Sequence, residues 1–149
     1  MYDQILFPTD GSEPAESALD YALQIAAEHE ATIHVLNVVD TSHNSLSGMQ
    51  DDVDDTLEQE GTEIVNEAAQ RATEHGIDVV SEVLHGDPYE AIVEYSTQSA
   101  IELIVMPTHG RRGLQRFLLG SVTERVINTA DVPVIAVNPG TQPLPYPCQ

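Results

Sequence analysis

The sequence predicts an α/β fold, a doubly wound five-stranded parallel sheet with helices on both faces. Three observations predict it. Five short apolar runs lack the polar/apolar alternation of a half-exposed strand, so they suit strands buried on both faces. Four stretches with helical apolar spacing separate them one by one. Strands alternating with helices imply right-handed βαβ crossovers, and hence a parallel sheet.

Gln4–Pro8 is the first strand. Ser12 is a good N-cap and Pro14 is tolerated in the first helical turn. Ala15, Ala18, Leu19, Ala22, Ile25 and Ala26 then form one face of a helix reaching about Glu30. Ala31–Val39 is the second strand and Asp40–Met49 a polar loop. Asp51 to about His75 is a long acidic helix, with Val53, Leu57, Ile64, Val65 and Ala68 facing inward. Gly76 stands where glycine is favoured, just past a helix end. Ile77–Leu84 is the third strand. Asp87 and Pro88 supply the N-cap and first residue of a helix to about Gln98, with Ala91, Ile92 and Tyr95 on one face. Ile101–Met106 is the most hydrophobic strand, followed by a loop over Pro107–Leu119. Ser121 to about Thr129 is the fourth helix and Pro133–Val137 the fifth strand. Residues 139–149 hold Pro139, Pro143, Pro145 and Pro147 and are expected to form a loosely ordered tail, leaving residues 1–138 as one domain.

The charge narrows the partners. The chain has 149 residues, 25 of them Asp or Glu against five Arg and no Lys, for a formal net charge of −20. Such a surface argues against nucleic acid and anionic membranes, where affinity rests on basic contacts. It fits concentrated salt, because at about 1 M the Debye length is only ~3 Å. No stretch approaches the ~18–20 apolar residues that span a bilayer. The N-terminus MYDQILFPTDGSE lacks the basic start of a signal peptide, so a cytoplasmic location is expected. Cys148 is the only cysteine, which excludes an intramolecular disulfide.

Ligands of open parallel sheets sit beyond the carboxyl ends of the strands, at the switch point. That directs attention to PTDGS after the first strand, NVVD ending the second and PTHG after the fourth. Pro107–Val122 reads PTHGRRGLQRFLLGSV, and Arg111, Arg112, Arg116 and Arg125 crowd into or beside it, with only Arg71 elsewhere. Gly110 and Gly120 bracket nine residues, and Gly120-Ser121 opens a helix. Glycines let the main chain approach a phosphate, and a helix N-terminus offers free N–H groups and a favourable dipole. Ser121 with Glu124 also reads as a capping box, which explains the serine without a ligand. His109 in this loop could approach a phosphate or simply be polar. There is no Lys for a Walker A loop and no G-x-S-x-G elbow, and nothing marks a general base poised on a water.

Here the chain resembles the universal stress proteins, over residues 2–138. ILFPTDGSEPAESAL is similar to that family's first strand, loop and helix start, HVLNVVD to its second strand, and IELIVMPTHG to the approach to its nucleotide loop. Gly110, the nine residues Arg111–Leu119 and Gly120-Ser121 match the second and third elements of the motif Gly-x-x-Gly, nine residues, Gly-Ser/Thr. The resemblance implies strand order 3-2-1-4-5, as in the Rossmann-like sheet of adenine nucleotide alpha-hydrolase-like folds. It also implies an ATP-binding, dimeric, nucleotide-dependent regulator of the stress response, with Mg²⁺ arriving on the nucleotide and slow hydrolysis at most. Pro8, Thr9 and Asp10 resemble the nucleoside side of the site, with Asp10 as the carboxylate near ribose or adenine. Asp10 alternatively serves only as an Asx-turn residue. Val38 resembles the position whose backbone addresses the adenine edge. His109, Gly110, Arg111, Arg112, Gly120, Ser121, Val122 and Thr123 surround the implied phosphate cradle. Val134–Val137 resembles the edge that pairs two subunits, and a further protein partner is left open. The acidic load resembles that of proteins from salt-loving archaea. Pro107 departs from the pattern by replacing the motif's first glycine. Proline lacks an N–H, so if the ligand uses that group, glycine restored at 107 would tighten ATP. Two rival readings follow from such doubts: a member that binds no nucleotide and acts structurally, and an adenylate-handling enzyme.

Overall fold

The computed structural model describes residues 2–41, 50–108 and 119–138. In chain order these form β1 (Gln4–Pro8), α1 (Glu13–His29), β2 (Thr32–Asp40), α2 (Gln50–Glu74), β3 (Val79–Gly86), α3 (Pro88–Gln98), β4 (Leu103–Pro107), α4 (Leu119–Thr129) and β5 (Val134–Val137). The strands pair in the order β3-β2-β1-β4-β5, all parallel. The proposed tail, residues 139–149, lies outside the described residues.

The absence of alternation in the central strands has a direct cause. Successive side chains leave a strand on opposite faces, and both faces are covered. Ile5 and Phe7 of β1, Ile33 and Val35 of β2, and Leu103 and Val105 of β4 pack with Ala18, Leu19 and Ala22 of α1 and with Val65, Ala68 and Ala72 of α2. Leu6, Leu36, Val38, Ile104 and Met106 point the other way, against Ile92 of α3 and Val122 and Val126 of α4. β3 is an edge strand, and its Ser81, Glu82 and His85 are exposed.

Helix starts follow the sequence. Ser12 caps α1, its Oγ accepting the Ala15 N–H at 3.3 Å, and Asp87 caps α3, accepting the Glu90 N–H at 3.0 Å. The helix ends explain why β3 and β4 begin later than the apolar runs suggest. In α2, Ile77 donates its N–H back to the Ala72 carbonyl at 2.9 Å and Gly76 donates to Thr73 at 2.9 Å. This is a Schellman motif, and it occupies the N–H that would otherwise open a ladder. Ile77 is buried as the motif's hydrophobic contact rather than as a strand residue. The same pair of bonds ends α1 (Ala31 to Ala26, Glu30 to Ala27) and α3 (Ile101 to Ser96, Ala100 to Thr97). The left-handed position is Gly76 in α2 (φ 73°), but Glu30 in α1 (φ 54°) and Ala100 in α3 (φ 53°).

Candidate functional site

β1 and β4 are the strands from which the sheet winds in opposite directions, and their pairing ends early. Its register is Ile5↔Leu103 and Leu6↔Ile104. β1 nonetheless continues beside β2 to Pro8↔Leu36, and β4 beside β5 to Pro107↔Val137. Two prolines account for the parting. N–H groups of successive strand residues point to opposite neighbours. The Thr9 N–H bonds Leu36 of β2 at 2.8 Å, so the Pro8 nitrogen faces β4. The N–H groups of Ile104 and Thr108 bond Pro133 and Val137 on the β5 side, at 3.0 and 2.9 Å, so the Pro107 nitrogen faces β1. Neither nitrogen carries a hydrogen, so the next rungs between β1 and β4 lack their donors.

The missing Pro107 N–H therefore has a direction: at this position it would point toward β1, into the gap where the two strands part. The Pro107 carbonyl is held by the Thr123 hydroxyl, which donates at 2.8 Å from the buried first half of α4. Thr123 thereby ties α4 to the end of β4. Thr108 beyond it donates its hydroxyl to the Val137 carbonyl at 3.3 Å and to Asn138 Oδ1 at 3.1 Å.

The β1–α1 loop is wired internally. Gly11 donates its N–H to Thr9 Oγ1 at 3.1 Å, and Ser12 donates to Asp10 Oδ1 at 3.0 Å. Gly11 has φ 76°, a left-handed turn that suits glycine. The Asx-turn reading of Asp10 is thus correct, and it leaves room for a second role. Thr9 and Asp10 are both buried, at 4% and 6% exposure, so the carboxylate lies within the switch-point region and not on the outer surface. Three N–H groups around the N-terminus of α1, those of Gly11, Ser12 and Ala15, are already engaged. They serve Thr9, Asp10 and Ser12, and Glu13 and Glu16 sit in the first turn of the helix.

α4 begins at Leu119, two residues before the expected start. Gly120 and Ser121 thus lie inside its first turn, and Ser121 is not the N-cap, which removes the capping-box reading. Helix ends vary by one or two residues, but a first-turn glycine is tolerated because that turn's N–H groups lack intrahelical partners in any case. Ser121 is exposed, whereas Val122 and Thr123 are buried. Val38 is buried near the carboxyl end of β2, paired with Leu84. His109, Gly110, Arg111, Arg112 and Arg116 lie outside the described residues. Arg125 is described: its guanidinium stacks 4.1 Å from the centre of the Tyr89 ring, joining α4 to α3. Arg71 pairs with Asp20.

Two residues that the sequence does not single out shape this region. Asn37, buried in β2, donates its Nδ2–H to the Thr9 carbonyl at 2.9 Å. Gly61 of α2 packs on it so closely that a Cβ there would sit 2.4 Å from Asn37 Oδ1. A lone Asn in an apolar run and a Gly inside a helical pattern were the available signals. Among the described residues, no group of three or more His, Cys, Asp or Glu side chains is placed to hold a metal ion. Nor is any described helix long and apolar enough to cross a membrane.

A parallel sheet in the order β3-β2-β1-β4-β5, with two helices on each face, defines a doubly wound α/β domain. The chain belongs to the universal stress protein family, whose model matches residues 1–138. It is 39% identical to the universal stress protein MJ0531 of Methanocaldococcus jannaschii over 140 residues, covering 92% of this chain and 82% of that protein. The solved structure of MJ0577, a universal stress protein of the same organism, superposes with a TM-score of 0.83 at 30% identity, covering 93% of this chain and 96% of that one. A universal stress protein solved in complex with cAMP matches with a TM-score of 0.70 at 27% identity, covering 93% and 99%.

Proposed function

We propose that this universal stress protein binds ATP, with Mg²⁺ carried on the phosphates, and works as a homodimeric, nucleotide-dependent regulator in the cytoplasm. The observation that carries the reading is the placement of the Thr9–Asp10 loop and the first turn of α4 around the parted ends of β1 and β4. The two sides differ in charge. The loop offers a carboxylate and has its N–H groups engaged, which suits hydroxyl or amine donors of a nucleoside. The α4 side offers the N–H groups of a helix start, together with the Ser121 hydroxyl, which suits phosphate. Pro8, Thr9, Asp10 and the Val38 backbone are assigned to the nucleoside. Gly110, Arg111, Arg112, Gly120, Ser121 and Val122 are assigned to the phosphates, with His109 beside them. Thr123 and Pro107 are assigned beside them, the Thr123 hydroxyl holding α4 to the end of β4. Mg²⁺ is assigned no protein ligand and would be held by phosphate and water. The cAMP complex of a relative supports an adenine nucleotide as the ligand class. No residue is assigned to catalysis.

Calorimetry with ATP and Mg²⁺ in concentrated KCl tests the reading. One site per subunit is expected, weakened by Asp10→Ala and by Ser121→Ala. Absence of heat and of any thermal shift at millimolar ATP would leave the structural role as the better account.

A further inference from the structure

We propose that Asn37 is a positioning residue for the nucleoside end of the site, seated by the missing side chain of Gly61; this rests on the nucleotide reading above. β2 is otherwise apolar at this depth: Leu36 and Val38 are buried on either side of Asn37, which is itself 6% exposed. A buried amide is costly unless it bonds, and this one donates to the Thr9 carbonyl, 28 residues away, at 2.9 Å. That carbonyl lies in the same rigid peptide plane as the Asp10 nitrogen and Cα. Fixing it fixes the N–Cα axis of Asp10, so that only rotation about that bond remains to set where its side chain leaves the backbone. The turn beyond is then completed by Gly11 on Thr9 Oγ1 and Ser12 on Asp10 Oδ1.

Gly61 supplies the other half. A glycine in the middle of α2 weakens the helix, so its place there calls for a reason. A Cβ would lie 2.4 Å from Asn37 Oδ1, 3.1 Å from its Cγ and 3.4 Å from Val83 Cγ1. α2 therefore rests directly on the amide and closes off other orientations. The route runs from α2 through Asn37 to the Thr9–Asp10 peptide, none of it through contact of Asn37 with the ligand.

The test separates positioning from packing. Asn37→Ala should weaken ATP about two- to tenfold, the worth of one hydrogen bond, leave inorganic tripolyphosphate affinity unchanged, and speed amide exchange at Gly11 and Ser12. Gly61→Ala should lower the melting temperature, because its methyl meets the amide. Adding Asn37→Ala to it should restore the melting temperature yet leave ATP weak. A double variant that recovers both, or an Asn37→Ala protein with wild-type ATP affinity and exchange, would overturn the proposal. If the wild-type chain binds no ATP, the nucleotide reading fails on its own, and the exchange of Gly11 and Ser12 still decides whether Asn37 orders the loop.

Discussion

Single residues carry uneven strain in this fold. Glu30 and Ala100 occupy left-handed conformations where Gly76 performs the same task without a Cβ. Replacing either with glycine should stabilise the protein by about 0.5–1 kcal/mol, less than the full left-handed penalty because glycine also gains freedom when unfolded. Denaturant midpoints check this, and a loss of stability in both variants would contradict it. Pro107 gives a second prediction. Its nitrogen faces the gap beside β1, so Pro107→Gly should tighten ATP about tenfold, the worth of a hydrogen bond to a charged group. Unchanged affinity would mean that the ligand does not reach this position. Residues whose role is local were legible in the sequence. Ser12 and Asp87 as caps, Gly76 as a helix stop and Asp10 as a turn former all act within a few positions of themselves. Asn37 and Gly61 were not, because each acts on a partner distant in sequence, and no periodicity records such a pairing. The orientation of the Pro107 nitrogen required the sheet register.

Among the elements, β2 holds an inner polar pair at its amino end. His34 bonds Tyr95 Oη through Nδ1 at 2.8 Å and Gln4 Oε1 through Nε2 at 2.6 Å, an arrangement the neutral ring satisfies. Burial holds its pKa below the ordinary value, with Glu82 pulling weakly the other way. The sign follows: the unfolded chain takes up a proton first as pH falls below about 6.5, so the folded state loses stability in that direction and is unaffected above it. Between pH 7.5 and pH 5, His34→Gln should lose less stability than the wild type in chemical denaturation. Equal slopes would show that the buried ring does not titrate differently on folding. β5 makes the other prediction at this scale. It pairs with β4 on one side only, and an apolar edge of this kind must be covered. A homodimer through Val134–Val137 is expected, and light scattering that gives a monomer at micromolar concentration in high salt would refute it. The elements themselves were read correctly, the strands as apolar runs without alternation and the helices from the 3.6-residue period. Their ends shifted where tertiary bonds intervened, as at Ile77 and at the start of α4.

The whole molecule carries −20 formal charges, and among the described residues the two placed arginines are engaged, Arg71 with Asp20 and Arg125 with Tyr89. Low salt should destabilise the fold, because the Debye length grows from ~3 Å at 1 M to ~10 Å at 0.1 M. The same field repels a polyanionic ligand. ATP affinity should therefore hold or rise between ~0.5 and ~2 M KCl, on protein kept folded across that screening range. A steep fall in affinity would mean that the loop arginines govern binding alone. The two rims of the sheet bear on assembly as well. If two β5 strands meet about a two-fold axis, the joint sheet ends in a β3 on each side. There Glu82 of β3 stands beside the exposed pair of His85 with Glu58 of α2, between acidic helices. Copies approaching by that rim would bring like charges together, with the exposed Val80 as the large apolar side chain set against them. Such a pair would be isologous and self-limiting, with the acidic rim left outward, and growth would stop at two subunits and not run on into a filament.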